Sequence, residues 1–143
     1  GPHDPHDDHI IPGTIKALLR GETPTIRSRG LTKKSYLYVE DVVAAYMLLA
    51  EHVSATRQIG QAFNVADLAS HSAMQVVMAI QRLMPELWQG SMTLLGEPND
   101  QMDEWLDSTR IRALGWEPRE TLESGLRKTI DGMKARRQAA VMA

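Results

Sequence analysis

Cysteine and strong charge of one sign are both missing from this chain of 143 residues. Without thiols it can form neither a disulfide framework nor a thiolate zinc site. The 16 basic and 18 acidic side chains nearly balance and leave a formal net charge of −2. We therefore expect no nucleic-acid partner, because no basic field is present to attract one.

Long apolar runs and clustered glycines are missing as well. No apolar run reaches the roughly 20 residues of a membrane-spanning helix, and the first residues have no signal-peptide pattern. We therefore expect a cytoplasmic protein without a membrane partner. The 10 glycines are scattered, whereas a dinucleotide fingerprint clusters them where a strand turns into a helix. Length and a hydrophobic content of 43% suit one globular domain.

Residues 1–9 form a predicted irregular segment that is rich in histidine and aspartate. Pro2 and Pro5 interrupt any helix or strand that would fix these side chains as ligands. The spacings also match no familiar zinc site. From the sequence alone we predict no metal site here.

Helical spacing of apolar residues predicts a first helix over Ile10–Arg20, with Gly21 in the left-handed position after its end. Its apolar face consists of Ile11, Ile15, Leu18 and Leu19. An extended segment over Thr23–Ser28 follows, and then a turn at Arg29-Gly30.

The stretch Ser35–Asp41 organises the middle of the chain. Aromatic and β-branched side chains favour a strand over Tyr36–Val39. Asp41 is predicted to be the N-cap of a helix that ends near Val53. The predicted core-facing stripe of that helix is Val42, Ala45, Tyr46 and Leu49.

Further along, the alternation of apolar and polar residues in Gln61–Ala66 predicts a short strand. Ser72 with Gln75 has the spacing of a capping box. The helix that follows stops at Pro85. Another strand is predicted over Ser91–Leu95, with a turn or longer loop over residues 97–100.

Two helices are predicted near the end of the chain. Either Asp107 or Ser108 caps a short one that Gly115 terminates. Thr121 opens the last helix, whose apolar face is Leu122, Leu126, Ile130 and Met133. We expect an α/β fold of short strands with four or five helices, folded over residues 10–138, and a frayed tail over 139–143.

Several segments, in order and at matching spacing, resemble motifs of the extended short-chain dehydrogenase/reductases, the NAD-dependent nucleotide-sugar epimerases and dehydratases. Lys34–Asp41 resembles the family's (R/K)-D-(Y/W)-x-(Y/H)-V-x-D segment. The others are His9–Pro12, Leu18–Arg27, Gly60–Asn64, Leu106–Arg110 and Leu114–Pro118. The likeness covers roughly residues 1–134. It implies the C-terminal, substrate-binding half without the Rossmann half, most similar to CDP-glucose 4,6-dehydratases.

The chain departs from the family in its cofactor and catalytic motifs. The family pairs a catalytic tyrosine with a lysine four residues on, but the three tyrosines here precede Glu40, Val42 and Ala50 at that spacing. Lys34 and Ser35 replace the usual arginine and aspartate, and lysine offers a point charge instead of a bidentate fork. We expect no catalytic residue and no NAD bound by this chain, although the resemblance implies NAD for the parent family.

The resemblance implies six substrate-binding candidates: Lys34, Arg27, Ile26, His9, Asn64 and Arg110. It places Arg27 and Lys34 beside the nucleotide, where cations neutralise phosphates. The alternative for both is a solvated surface cation. His9 stands where the family commonly has arginine or lysine on the substrate side.

The other candidates also have structural alternatives. Ile26 lies either against the base or in the core. Asn64 either contacts the ligand or holds a loop by bonding its backbone. Arg110 either reaches the ligand or is solvated at a helix start.

The resemblance therefore implies a chain that binds a nucleotide-diphosphate sugar and is not catalytic by itself. The alternative is a non-catalytic binding or assembly module, or a truncated gene product. Either a separate NAD-binding half or self-association would cover the apolar face that the missing half leaves exposed. Whether the chain belongs to an epimerase or a dehydratase stays open.

Overall fold

The computed structural model describes residues 1–57, 59–97 and 102–142, in which helices and short strands alternate. In chain order the elements are α1 (Ile10–Arg20), β1 (Thr25–Ser28), β2 (Lys33–Ser35), α2 (Val39–Thr56), β3 (Ser70–Ser72), α3 (Ala73–Leu83), a 3₁₀ turn (Pro85–Leu87), β4 (Thr93–Glu97), α4 (Thr109–Arg112) and α5 (Leu122–Met142). The predicted α/β class, with short strands and four or five helices, is confirmed. The turn predicted over residues 97–100 lies largely outside the described residues.

The first pair of strands, β1 and β4, is parallel and irregular. Ile26 lies opposite Leu94, but Ser28 lies opposite Glu97, so β4 contains one extra residue between these pairs. Gly96 has a φ of 71° in this bulge, a left-handed conformation that glycine adopts without a steric penalty. The bulge lies beside Arg27, the residue between the two paired positions on β1.

The second pair, β2 and β3, is antiparallel, with Lys34 opposite His71. The position of β2 differs from the strand predicted over Tyr36–Val39. Its pairing ends at Ser35, and the stretch Tyr36–Val39 leads into α2 instead. The strand predicted over Gln61–Ala66 is also wrong, since these residues have no strand partner in the described part of the chain. Alternating side chains fit a strand, but only a partner's backbone groups can complete one.

The main core forms where α1, α3 and α5 meet. Its fully buried side chains include Ile15 and Leu18 from α1, Ile80 from α3 and Leu126 and Ile130 from α5. The α1 and α5 residues belong to the apolar stripes predicted from helical spacing, so the buried faces of these two helices are confirmed.

Local capping signals also fold as predicted. Ser72 Oγ accepts from the Gln75 N–H at 3.2 Å, and Gln75 Oε1 accepts from the Ser72 N–H at 2.8 Å. This reciprocal pair is the capping box of α3. Gly21 follows α1 with a φ of 74°, and its N–H donates to the Leu18 carbonyl at 3.0 Å.

The start of α2 differs from the prediction. Its N-cap is Tyr38, whose side chain makes no cap hydrogen bond. Asp41 is only 2% exposed, and its two carboxylate oxygens accept from the N–H groups of Arg119 at 3.0 Å and Glu120 at 3.1 Å. The predicted N-cap role of Asp41 is therefore wrong, because its carboxylate fastens the connector before α5 to the first turn of α2.

A second buried cluster supports the same junction. Trp116 packs with Ala45 and Ile111, and its indole N–H donates to the Asp41 carbonyl at 3.0 Å. A buried indole needs such an acceptor to avoid an unsatisfied donor. The junction therefore joins α2 to α4 and to the connector that leads into α5.

The last two helices follow the prediction in type but not in extent. The short helix is limited to α4, where Asp107 Oδ1 accepts from the Thr109 N–H at 2.9 Å. In α5 the helix continues through Met142, over most of the segment for which fraying was predicted. Over the part of the chain that the structure describes, none of the helices is both long enough and apolar enough to cross a bilayer.

Candidate functional site

The edge of β2 that faces away from β3 holds Lys34 in an ion pair. The Lys33 N–H donates to Asp103 Oδ1 at 2.8 Å, and the Glu104 N–H donates to the Lys33 carbonyl at 3.0 Å. These bonds lay residues 103 and 104 alongside the strand. Lys34 Nζ then lies 3.1 Å from Glu104 Oε1, with both side chains partly exposed. An anionic ligand at Lys34 therefore competes with Glu104.

Tyr36, just after β2, responds to the same carboxylate. Burial raises the pKa of its phenol above the ordinary value, and the charge of Glu104 raises it further. The ring also packs against the main core. Tyr36 therefore stays protonated at neutral pH and supplies no base at this edge.

Residues 102–107 connect the Lys34 edge to Asn64. Asn64 Nδ2 donates to the Asp107 carbonyl at 3.1 Å. Asp107 is three residues after Glu104 in the sequence, and three extended residues span about 10 Å. Residues 104–107 thus link the Lys34 ion pair to Asn64, and Asn64 has the backbone-holding role that was its alternative.

Arg110 has a role that the sequence analysis did not consider. Its guanidinium donates to the Ala62 carbonyl at 2.7 Å and to Gln61 Oε1 at 2.6 Å. It also lies over the Phe63 ring, 4.8 Å from the centroid, a favourable cation–π geometry. Arg110 is therefore not simply solvated, because it fastens residues 61–63 to α4. Its contact with a ligand stays a prediction.

The two candidates on β1 face opposite ways. Ile26 is 2% exposed and lies in the core, as its structural alternative predicted. Arg27 is exposed beside the bulge in β4. It makes no hydrogen bond or ion pair with another side chain among the described residues, and no contact joins it to Lys34.

His9 lies apart from the other candidates, at the N-cap of α1. Its Nδ1 is 2.9 Å from Asp4 Oδ2. This hydrogen bond raises the pKa of the His9 imidazole and lowers the pKa of the Asp4 carboxyl. No contact among the described residues connects His9 to Lys34 or Asn64.

A cavity of about 750 Å³ lies between β3, α3 and residues 118–123. Its lining includes His71, Arg82 and Arg119, but none of the six predicted residues. Lys34 and Asn64 therefore lie outside the lining of this cavity.

The α2 helix carries a second feature, an exposed apolar stripe. Successive turns place Val39, Val43, Tyr46, Ala50 and Val53 on one outer face, and Tyr46 is 70% exposed. We call these five residues the α2 stripe. The opposite face is buried at Ala45, so apolar residues cover both sides, as is typical of helices enclosed within a larger structure.

The α2 stripe corrects one detail of the predicted helix face. Of its predicted core-facing members, Ala45 is buried and Val42 and Leu49 are half-buried. Tyr46 points away from the core instead. The helical spacing of Tyr46 and its apolar neighbours predicts an apolar face of the helix. It does not show whether the core or a partner covers that face.

Sequence reasoning missed Glu104 and Asp103, the acidic partners of the β2 edge. They are about 70 residues from Lys33 and Lys34 in the chain, in the stretch where no periodicity predicts an element. Only a pairing signal from related sequences would have connected them.

Known proteins match this chain along most of its length. The sequence model of the NAD dependent epimerase/dehydratase family matches residues 1–66. The chain is 27% identical to a dTDP-D-glucose 4,6-dehydratase of Mus musculus over 137 residues, or 92% of the chain and 37% of that protein. It is 30% identical to dTDP-glucose 4,6-dehydratase 1 of Escherichia coli K12 over 133 residues, or 87% of the chain and 36% of that protein.

Solved structures agree on the fold. A dTDP-glucose 4,6-dehydratase from Bacillus anthracis, determined in complex with NAD, superposes with a TM-score of 0.81 at 20% identity. That match covers 96% of this chain and 42% of the dehydratase chain. The chain belongs to the NAD-dependent epimerase/dehydratase family of extended short-chain dehydrogenase/reductases, and it spans 36–37% of the length of these two relatives. The two relatives use dTDP-glucose, so similarity to CDP-glucose 4,6-dehydratases stays a prediction.

Proposed function

We propose that this chain binds a nucleotide-diphosphate sugar in the cytoplasm, as the C-terminal substrate side of an NAD-dependent epimerase or dehydratase. The observation that carries the proposal is Lys34 on β2, in an ion pair with Glu104. It lies in a stretch that closely resembles a motif of the family, and its partner is a partly exposed carboxylate. A pyrophosphate can replace that carboxylate without leaving a buried charge unpaired.

Residues at the β2 edge would bind and orient the substrate through their charge. They would not make or break its bonds. Lys34 neutralises the pyrophosphate, and Arg27 provides a second exposed cation on β1. Asn64 and Arg110 hold the neighbouring backbone by the bonds described above. Holding a substrate in one orientation contributes substantially to a reaction rate, even when the reacting groups come from elsewhere.

These residues do not fit NAD. The described residues include no glycine-rich turn between a strand and a helix, and no tyrosine in the sequence is followed by lysine at the family's spacing. Bound NAD supplies hydride transfer in the family's chemistry, so we assign that chemistry to an NAD-binding part outside these residues. The chain is then not catalytic by itself.

The α2 stripe favours a second element of the proposal, a partner on this face. Single exposed apolar residues are normal on a protein surface, but a continuous exposed row along a whole helix indicates an interaction surface. We propose that the NAD-binding part covers it, whether that part belongs to the same polypeptide or another. Self-association through the stripe, as a non-catalytic binding or assembly module, is the alternative.

The test is calorimetric titration of the chain with UDP-, dTDP-, CDP- and GDP-glucose. We expect weak, salt-sensitive binding of at least one of them, because lysine gives charge without bidentate geometry. Lys34→Ala should weaken it by about 1 kcal/mol, or about fivefold. This is less than the roughly 1.5–3 kcal/mol of a hydrogen bond to a charged group, because Glu104 already offsets part of the charge. Lys34→Arg should hold or tighten it.

Lys33→Ala is the matched control. Adjacent residues of a strand point to opposite faces, and the Lys33 contacts described above use only its backbone. This variant should bind like the wild type. If none of the four nucleotide sugars binds, or if Lys33→Ala and Lys34→Ala lose affinity equally, the substrate-side proposal fails and the assembly module becomes the better hypothesis. Saturable NAD binding at micromolar concentration would contradict the proposal that NAD binds to a part outside these residues.

A further inference from the structure

Three side chains in the segment before α1 come together on the surface. His6, Asp8 and His9 each offer one ligand atom, and these atoms all lie within 4.8 Å of one another. This is the one such group of histidines and carboxylates found among the described residues. We propose that this trio, the N-terminal His/Asp cluster, binds a divalent transition-metal ion, with Zn²⁺ as the best fit. The inference is independent of the nucleotide-sugar proposal.

The irregular backbone of this segment is fixed by short-range hydrogen bonds. The His6 N–H donates to Asp4 Oδ1 at 3.0 Å, and the His9 N–H donates to the His6 carbonyl at 3.2 Å. The second bond closes a turn that brings the two imidazoles together, with centroids 4.8 Å apart and the ring planes tilted by 36°. Prolines exclude a helix or strand here, but this turn positions the ligands without one.

The segment is also anchored to the helices beneath it. The Pro2 carbonyl accepts from the Arg136 guanidinium at 3.0 Å. A Cβ added to Gly132 would lie 2.6 Å from Pro2 Cβ, and one added to Gly13 would lie 2.6 Å from the Asp7 carbonyl oxygen. Such close approaches mean that the segment packs directly on α1 and α5 instead of trailing in solvent.

The donor set is one that Zn²⁺ prefers. Two imidazole nitrogens and a carboxylate oxygen, completed by water, form a common four-coordinate site. In that geometry bonds of roughly 2.0–2.1 Å put ligand atoms about 3.4 Å apart. The cluster spans at most 4.8 Å, so rotation of exposed side chains closes the remaining distance.

Asp4 supplies the outer partner that metal-bound histidines usually have. Its Oδ2 lies 2.9 Å from His9 Nδ1. A carboxylate on one ring nitrogen fixes the imidazole's orientation and leaves Nε2 as the ligand. Nearby Asp7 pairs with Lys16, whereas Asp4 and Asp8 have no lysine or arginine partner among the described residues. The negative charge of these aspartates therefore favours binding of a cation. The partial positive charge at the N-terminus of α1 opposes it, but more weakly.

The experiment titrates Zn²⁺ into the untagged chain by calorimetry and follows Co²⁺ by its visible absorption spectrum. We expect one ion per chain and a Co²⁺ spectrum of low coordination number. His6→Ala and His9→Ala should each weaken binding at least about tenfold, since each removes one of three protein ligands. Asp4→Asn keeps the oxygen that accepts from the His6 N–H but removes the charge, and should weaken binding about tenfold.

His3→Ala is the control, because His3 belongs to the same segment but lies outside the cluster. It should bind Zn²⁺ like the wild type. Imidazole NMR signals of the wild type give a readout that does not depend on any variant folding, and those of His6 and His9 should shift with Zn²⁺. The proposal is overturned if no ion binds at one-to-one stoichiometry, if His3→Ala loses as much affinity as His6→Ala, or if the shifts occur at His52 or His71 instead.

Discussion

Replacing Asp41 by alanine should destabilise the chain more than the loss of any surface charge. Asp41 is 2% exposed, and it accepts two backbone hydrogen bonds from a connector 78 and 79 residues away. Alanine removes both acceptors and leaves the N–H groups of Arg119 and Glu120 without partners. The junction between α2 and the connector before α5 then loses its main polar fastening.

The magnitude follows from those two bonds. A hydrogen bond to a charged group contributes about 1.5–3 kcal/mol. Arg119 is exposed and Glu120 half-buried, so water replaces part of the loss, and we expect about 2–4 kcal/mol for Asp41→Ala. Asp41→Asn keeps one acceptor but turns an amide N–H toward the other donor, and should cost about 1–2 kcal/mol.

Urea unfolding monitored by circular dichroism measures these differences. Glu40→Ala is the matched control, because the neighbouring carboxylate is exposed and pairs with Lys128 at the surface. Exposed pairs contribute little, so this variant should unfold almost like the wild type. If Asp41→Ala were no less stable than Glu40→Ala, or if Asp41→Asn were less stable than Asp41→Ala, the fastening role would be refuted.

Two further predictions concern the β2 edge and the α2 stripe. Glu104→Gln releases Lys34 and removes a repelling charge, so nucleoside-diphosphate binding should tighten by up to about fivefold; calorimetry showing weaker binding would contradict the competition between Glu104 and the ligand. Val43→Glu with Tyr46→Glu places charge on the α2 stripe and should shift sedimentation toward monomer without altering the unfolding midpoint, because both side chains are exposed. A wild-type chain that is monomeric at high concentration and binds no hydrophobic dye would show that the stripe drives no association.

Features set by nearby residues could be predicted from the sequence. The helix Ile10–Arg20 has its predicted bounds, because apolar spacing and a terminal glycine act within a few residues. The capping box of Ser72 and Gln75 also closes over three residues. The buried face of α5 follows from helical periodicity alone.

Features that depend on distant partners could not be predicted. The extended stretch before α2 shifted to Lys33–Ser35 because β3 and residues 103–104 supply the partners there. Asp41 has the side chain of a helix cap, but the connector near Arg119 uses its carboxylate. Both differences result from contacts across more than 30 residues, which local propensity does not encode.

The candidate site also has some features that the sequence predicted and others that it did not. The sequence indicated a cation at Lys34, but not the Glu104 that pairs with it. It left two roles open for Asn64, and the hydrogen bond to Asp107 supports the backbone one. For Arg110 it missed the actual contacts, because Gln61 and Ala62 lie almost 50 residues away.

Mapping a nucleotide sugar onto the chain by amide NMR tests the substrate-side proposal most directly. Addition of dTDP-glucose or UDP-glucose should shift the signals of Lys33–Ser35, Arg27 and residues 102–107, and leave the core signals of α1 and α3 in place. Glucose without the diphosphate serves as the control and should cause no shifts at Lys34. If the shifts instead fall on the cavity beside His71 and Arg119, or if glucose alone reproduces them, Lys34 is not the pyrophosphate cation.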